Sequence, residues 1–288
     1  MILGETRFDP DEAAFREEGV AEVWPSIAFP RRPLGIRAAD AAPVFGDANT
    51  AILFTVGRPY RRISVDGHGS WTEWIEIRPD VLAEMVSELP FPSGCAPAPT
   101  QAHLAHRLAR RRLDSEGAVD GLALEETALA IASHVLAAGR ALQREDGPAR
   151  SARERAHRDL VFDVQMLLNR RLGRALSLAD ISDALSVSPF HLCRVFRELT
   201  GIPIHRYRDR LRLRAALEMI ADGDESVLDV ALALGYSSEA HFSDSFRRAF
   251  GLRPGAFRRS MKGSGPTRSF SPERRSRRHR HREERPKG

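Results

Sequence analysis

One unit is written twice in this chain, and that duplication restricts the fold more than any other feature. HLCRVFRELTGIPI (191–204) aligns without gaps on HFSDSFRRAFGLRP (241–254) fifty positions later, pairing His191 with His241, Phe196 with Phe246, Arg197 with Arg247 and Gly201 with Gly251. Upstream the offset is 49, and SLADISDAL (177–185) pairs with SVLDVALAL (226–234), matching Ser177 to Ser226, Asp180 to Asp229, Ala184 to Ala233 and Leu185 to Leu234. The second copy has gained one residue in its turn. Two copies are too few for a solenoid, in which stacked neighbours supply the core.

Each copy carries the same physical plan. Ser177 is placed to cap a short helix whose Leu178, Ile181 and Leu185 face inward, and a tight turn follows at Ser186–Val187. Ser188 caps a second helix, Pro189 suits its first position, and Leu192, Val195, Phe196 and Leu199 form the i, i+3, i+4, i+7 stripe that packs it on the first. Gly201 stops it. In the second copy Val227, Val230 and Leu234 pack, Gly235–Tyr236 turns, Ser237 or Ser238 caps, and Phe242, Phe246 and Phe250 face the core before Gly251. Two short helices crossing through a tight turn make a helix-turn-helix unit.

A lone helix fits the major groove of DNA, and its first turns reach base edges. The outward face of the first unit's second helix is Phe190, Cys193, Arg194 and Arg197; that of the second unit is Glu239, Ala240, Ser243, Asp244 and Arg247. Between the units, 204–221 read as one helix of about 18 residues, ~27 Å long at 1.5 Å per residue. Major grooves on one side of the duplex repeat every ~34 Å, so such a helix could hold both readers on one face. Arg197, Arg247 and the helix N-termini, capped by Ser188 and Ser238, are placed for phosphates.

Charge is distributed accordingly. The formal net charge is +5, but residues 1–168 hold 19 basic and 25 acidic side chains, 169–261 hold 15 and 11, and 262–288 hold 10 and 3. A polyanionic partner for the C-terminal part fits this asymmetry. The last segment has almost no apolar residues and is expected to be a disordered basic tail. Two cysteines, Cys95 and Cys193, indicate no disulfide framework. The acidic N-terminus and the lack of an uninterrupted apolar run of spanning length predict a cytoplasmic protein without a membrane partner.

The N-terminal half has a different texture. Short apolar runs at 22–29, 51–56, 60–65 and 71–77, cut by GRP and DGHG, predict a small antiparallel barrel or sandwich over 20–77. Segments 81–89, 101–113 and 122–138 have helical spacing, and FPSGCAPAPT (91–100) reads as a loop. The whole is therefore α+β: a sensor or dimerisation domain at 1–142 with packing helices at 80–140, a linker at 143–152 containing Gly147–Pro148, an all-α domain at 153–261, and the tail at 262–288. Val161, Val164, Leu167, Leu168 and Leu172 form one stripe, with Gly173 placed to end that helix.

The stretch VLDVALALGYSSEAHFSDSFRRAFGLRPGAFRR (227–259), with its Gly235–Tyr236 turn, Phe242, Phe246 and Gly251…Pro254 finish, resembles the AraC/XylS family of bacterial transcription regulators. The likeness covers roughly 160–259. It implies a seven-helix DNA-binding domain, with base-contacting positions at Phe190, Cys193 and Arg194 in the first reading helix and at Glu239, Ala240, Ser243 and Asp244 in the second. Asp244 departs from the Arg or other donor found in many relatives. A carboxylate near phosphates is repelled unless it accepts from a cytosine amino group or pairs with Arg247 or Arg248, so the first unit is expected to dominate base readout. GRPYRR, DGHGSW and TEW resemble, more loosely, the cupin-like sensor region preceding this domain in many members. The implied partners are double-stranded promoter DNA and an unknown small-molecule or protein effector; RNA polymerase and a second copy of the chain, through 101–138, are further candidates.

Other chemistries lack their residues. A cupin metal site needs several convergent ligands, and His68 stands alone in its segment. His103, His106 and His134 lack the cysteines or carboxylates of a zinc pattern and read as surface or half-buried. One of Trp71 and Trp74, three apart in a strand, should fill the barrel. No cofactor or metal is expected, and an enzyme carrying this domain, whether a cupin metalloenzyme or a cysteine-dependent alkyl acceptor, would need clusters not present here.

Overall fold

The computed structural model describes residues 1–20, 24–38, 43–65, 67, 69–85, 94–114, 120–143 and 151–262. Most of the expected linker, the tail from 263 onward and His68 lie outside the described residues.

Alternation in the N-terminal strands builds two cores from one sheet. Strands β1 (Ile2–Phe8), β2 (Gly19–Val20), β3 (Ser26–Pro30), β4 (Leu34–Ala38), β5 (Val44–Gly46), β6 (Thr50–Phe54), β7 (Pro59–Ser64), β8 (Ser70–Glu76) and β9 (Gly94–Pro97) form two sheets, ordered β1-β8-β3-β6-β9 and β2-β7-β4-β5, with antiparallel pairing throughout. Successive side chains of a strand point to opposite faces. Ala28, Ile52 and Trp74 therefore meet Leu34, Ile36 and Tyr60 of the other sheet in the sandwich interior, whereas Ile27, Phe29, Ala51, Leu53 and Ile75 face outward. That outer face is covered by helices α1 (Pro79–Met85), α2 (Thr100–Asp114) and α3 (Gly121–Gln143), which contribute Leu82, Ala102, Ala128, Ile131, Val135 and Leu136. By composition the stretch Gly121–Arg140 has a mean hydropathy of 1.3, enough for a membrane span. Its apolar stripe instead completes this core.

Several expectations require correction. The β region begins at β1, which pairs with β8 along its whole length, not at residue 20. Within the expected loop 91–100, β9 pairs with β6 as a sheet edge; its Gly and Pro residues hide the strand pattern, and an edge tolerates Pro97 because one side of the strand needs no ladder. His103 and His106 are buried, His106 lying stacked on Phe29 at 4.2 Å between ring centres. A neutral imidazole serves there as a flat core group. Of the two tryptophans, Trp74 packs in the sandwich interior, while Trp71 lies under the guanidinium groups of Arg7 and Arg31.

The C-terminal region comprises α4 (Ala152–Arg170), α5 (Leu178–Ala184), α6 (Pro189–Thr200), α7 (Ile204–Asp222), α8 (Val227–Ala233), α9 (Glu239–Phe250) and α10 (Pro254–Lys262). Helix α4 stops at Arg170 with Arg171 as its C-cap, two residues before the glycine expected to end it. Gly173 instead serves a close approach. A Cβ there would strike the carbonyl oxygen of Ala233, so glycine permits the two units to touch. Helix α7 joins both units. Ile204, Tyr207 and Leu211 enter the core of the first unit, and Leu213, Ala216, Leu217 and Ile220 enter that of the second.

Candidate nucleic-acid interface

The duplication recurs as matching local chemistry. Ser177 and Asp180 form a reciprocal capping box on α5, and at the repeated positions Ser226 accepts from the amide of Asp229 on α8. Each unit then turns through a left-handed residue, Ser186 at φ 53° and Gly235 at φ 77°. The turn bonds are equivalent too: Val187 N–H donates to Ser182 O at 3.0 Å, and Tyr236 N–H to Ala231 O at 2.9 Å. The residue added to the second copy therefore falls after Tyr236, before Ser238. Tyr236 also donates its hydroxyl to Asp209 on α7 at 2.7 Å, tying the second turn to the joining helix.

Ser188 and Ser238 cap α6 and α9, accepting from the amides of His191 and His241, and Pro189 occupies the first turn of α6. Gly201 and Gly251, left-handed at φ 74° and 82°, end the two helices. Leu192, Val195 and Phe196 bury one face of α6; Phe242, Phe246 and Phe250 bury one face of α9. Leu178, expected to face inward, is 39% exposed, because α5 spans only two turns and its inner face is filled by Ile181 and Ser182.

The predicted readers fall on the opposite faces. Phe190 is 80% exposed at the start of α6, and Cys193, Arg194 and Arg197 are exposed beside it. On α9, Glu239, Ala240, Asp244 and Arg247 are exposed and Ser243 is half-buried. Arg194 donates to Glu198 at 3.0 Å, one turn along the same face, and its other terminal nitrogen lies 3.4 Å from His191 Nδ1. Asp244 lies 4.0 Å from Arg247, one of the two arginines expected to pair with it. Both second helices thus present capped N-terminal ends and exposed outer faces, largely polar but for Phe190 and Ala240, from one all-α framework.

A family profile described as a helix-turn-helix domain matches residues 181–260. The probable transcription factor PqrA of Proteus vulgaris is 31% identical over 102 residues, which cover 35% of this chain and 84% of that protein. The chain belongs to the AraC-type helix-turn-helix family. The HTH-type transcriptional regulator GlxA of Rhizobium meliloti is 40% identical over 89 residues, covering 31% of this chain and only 27% of that relative's length. A solved AraC-type transcriptional regulator from Chromobacterium violaceum shares 27% identity, covering 38% of this chain and 98% of that one, with a TM-score of 0.36. The AraC-type domain accounts for the C-terminal third; the N-terminal sandwich lies outside the matched segment.

Sequence reasoning missed how firmly the sandwich grips this domain. The turn between β5 and β6 carries Asp47, fully buried, whose carboxylate accepts from Tyr207 Oη and Asn169 Nδ2, both at 2.8 Å. Gln165 donates to the same Tyr207 oxygen at 2.8 Å, and Asn49 to the Tyr207 carbonyl at 2.9 Å. Arg214, 2% exposed, donates to the carbonyls of Ala48 and Ala98. Farther along α7, Glu218 meets Arg31 at 2.5 Å and Arg107 at 2.7 Å, and Arg107 also holds Glu73 at 2.9 Å. Burial raises the carboxyls of Glu73 and Glu218 to about 7, against the opposing pull of Arg31. Neither the turn that carries Asp47 nor its partner 160 residues away was read from the sequence.

Proposed function

We propose that this protein is a sequence-specific transcription regulator that binds a promoter site in double-stranded DNA. Helices α6 and α9 enter successive major grooves: Phe190, Cys193 and Arg194 read bases in one, and Glu239, Ala240, Ser243 and Asp244 lie against the other. Arg197 and Arg247, with the helix ends capped by Ser188 and Ser238, hold phosphates. The first unit dominates base readout, because α6 offers the Arg194 guanidinium as a donor where α9 carries the Asp244 carboxylate, which phosphates repel. The observation that carries this reading is the exposure of both outer faces while the inner faces are fully buried. Among these outward residues Phe190, an aromatic 80% exposed at the start of α6, is the side chain a partner would most gain from covering.

In this reading 1–142 form the sensor or dimerisation domain, joined by a linker at 143–152 to the DNA-binding domain at 153–261, and the basic tail 262–288 adds sequence-independent attraction to DNA. The N-terminal sandwich, whose sequence loosely resembles a cupin-like sensor region, receives an effector or protein partner, and RNA polymerase and a second copy are the other candidate contacts. Catalysis is not part of the reading, and the protein acts in the cytoplasm. Selection from a randomised duplex pool tests it: the chain enriches a defined site with two half-sites, whereas a purely architectural binder would enrich none.

A further inference from the structure

We infer that the N-terminal sandwich is a strut that sets the separation and orientation of the two reading helices, through contacts with both units and with the helix that joins them. This deepens the proposed function, naming how the sensor domain acts on DNA binding, and rests on it for its consequence in promoter choice.

Contacts with each unit come from different parts of the N-terminal region, the sandwich itself for the first and its covering helix α2 for the second. On the first unit, Asp47 holds Asn169 and Tyr207, Arg170 donates to the Val65 carbonyl at 3.1 Å, and Phe162 of α4 meets Phe45 edge to face at 5.2 Å. On the second, α2 places Leu104 in the core formed by Leu217, Ile220, Phe246 and Phe257, and Arg111 donates to the Met261 carbonyl at 2.8 Å. Between them α7 is held by Arg214 at one level and Glu218 at the next. The sandwich therefore bridges what would otherwise be two small helical units joined chiefly through α7 and the Gly173 contact.

Neither reading face is covered by this docking, since Phe190, Arg194, Asp244 and Arg247 are exposed while it is in place. Control by masking is thereby disfavoured, and control by geometry remains. Two half-sites a helical turn apart demand readers at matching distance and angle. The bonded groups are buried and directional, so the docked arrangement has one geometry, and breaking it leaves desolvated groups unpaired. Asp47 sits on the turn joining β5 and β6, whose Val44, Ile52 and Phe54 line the sandwich interior. A change of packing inside the sandwich moves that turn, and with it Tyr207. Asp47 and Tyr207 are positioning residues in this scheme and touch no DNA.

The test reads the two helices directly. Spin labels at Cys193 and at Ala240→Cys, in a Cys95→Ser background, report the α6–α9 distance in the full chain without DNA. The docked protein gives one narrow distance. Asp47→Ala roughly doubles the width of that distribution as the units gain freedom, and Tyr207→Phe, which keeps the ring packed on Phe196, broadens it to a lesser degree. In parallel, unlabelled variants are titrated on the selected duplex with base pairs inserted between half-sites; wild type loses affinity sharply at wrong spacings, and the variants discriminate at least about threefold less. Unchanged distance width and unchanged spacing preference in a folded Tyr207→Phe or Asp47→Ala protein would overturn the proposal. If wild type selects no duplex at all, the DNA-binding reading fails, while the distance measurement still decides whether the sandwich is a strut.

Discussion

The Tyr207 hydroxyl donates to the Asp47 carboxylate at 2.8 Å, joining residues 160 positions apart and fastening a loop of the sandwich to the helix between the two helix-turn-helix units. Both groups are buried, and burial pushes the Asp47 carboxyl above and the Tyr207 phenol well above their ordinary ranges.

Because the remaining partners would stay buried, Tyr207→Phe should cost about 1–2 kcal/mol, and Asp47→Ala, which strands Tyr207, Asn169 and the Asn49 amide together, should cost more. Urea unfolding with an unchanged m-value checks this. Equal stability in all three proteins would show that the network contributes nothing net.

Gly235 turns with φ 77° and lies against Arg212 and the Gly173 carbonyl, where a Cβ has no room. Gly235→Ala should destabilise the protein by about 1–2 kcal/mol or more from the left-handed backbone alone. Ser186 occupies the repeated position at φ 53°, so Ser186→Gly should stabilise slightly. Thermal melts of the two variants should move in opposite directions.

Stability should fall on both sides of a mildly acid optimum. Glu73 and Glu218 hold protons up to about 7, against the 4.5 of a free glutamate, so their contribution is full below about pH 4.5 and is lost as pH rises toward 7. Burial holds His106 down to about 3, against 6.5, so the unfolded chain takes up a proton first and stability is lost as pH falls between those values; His103 adds in the same direction. Glu218→Gln should flatten the alkaline limb, and His106→Phe, stacked on Phe29, the acid limb. Denaturation midpoints at several pH values would reveal either limb unchanged if the assignment is mistaken.

Arg194→Ala should weaken binding to the selected site by about 1–3 kcal/mol and relax base preference at one position. Ser243→Ala and Asp244→Ala should each have smaller effects. The reverse ranking, with Arg194→Ala neutral, would assign base readout to the second unit.

The duplicated helices were legible in the sequence because their determinants are local. Ser177, Ser188, Ser226 and Ser238 cap, glycines stop, and the aliphatic and Phe stripes recur at helical spacing, so the outward faces follow once the buried face is known. Leu178 escaped because a two-turn helix cannot bury a whole stripe. In the sandwich, β9 was hidden by Gly and Pro at an edge, and β1 by alternation that leaves Glu5 and Arg7 facing α2 and Trp71. His103 and His106 were misplaced for a different reason: a neutral imidazole can fill a core, but residue type alone reads as polar. The grip of the sandwich on α7 depends on pairs such as Asp47–Tyr207 and Arg107–Glu218, separated by more than a hundred residues, which no local pattern encodes.

Phosphate-ethylation and base-methylation interference on the selected duplex would examine the two-groove arrangement most directly. The expected pattern is two patches of major-groove interference on one face of the DNA, about one helical turn apart, with Arg194→Ala erasing base interference in only one of them. A single patch, or two on opposite faces of the duplex, would contradict it.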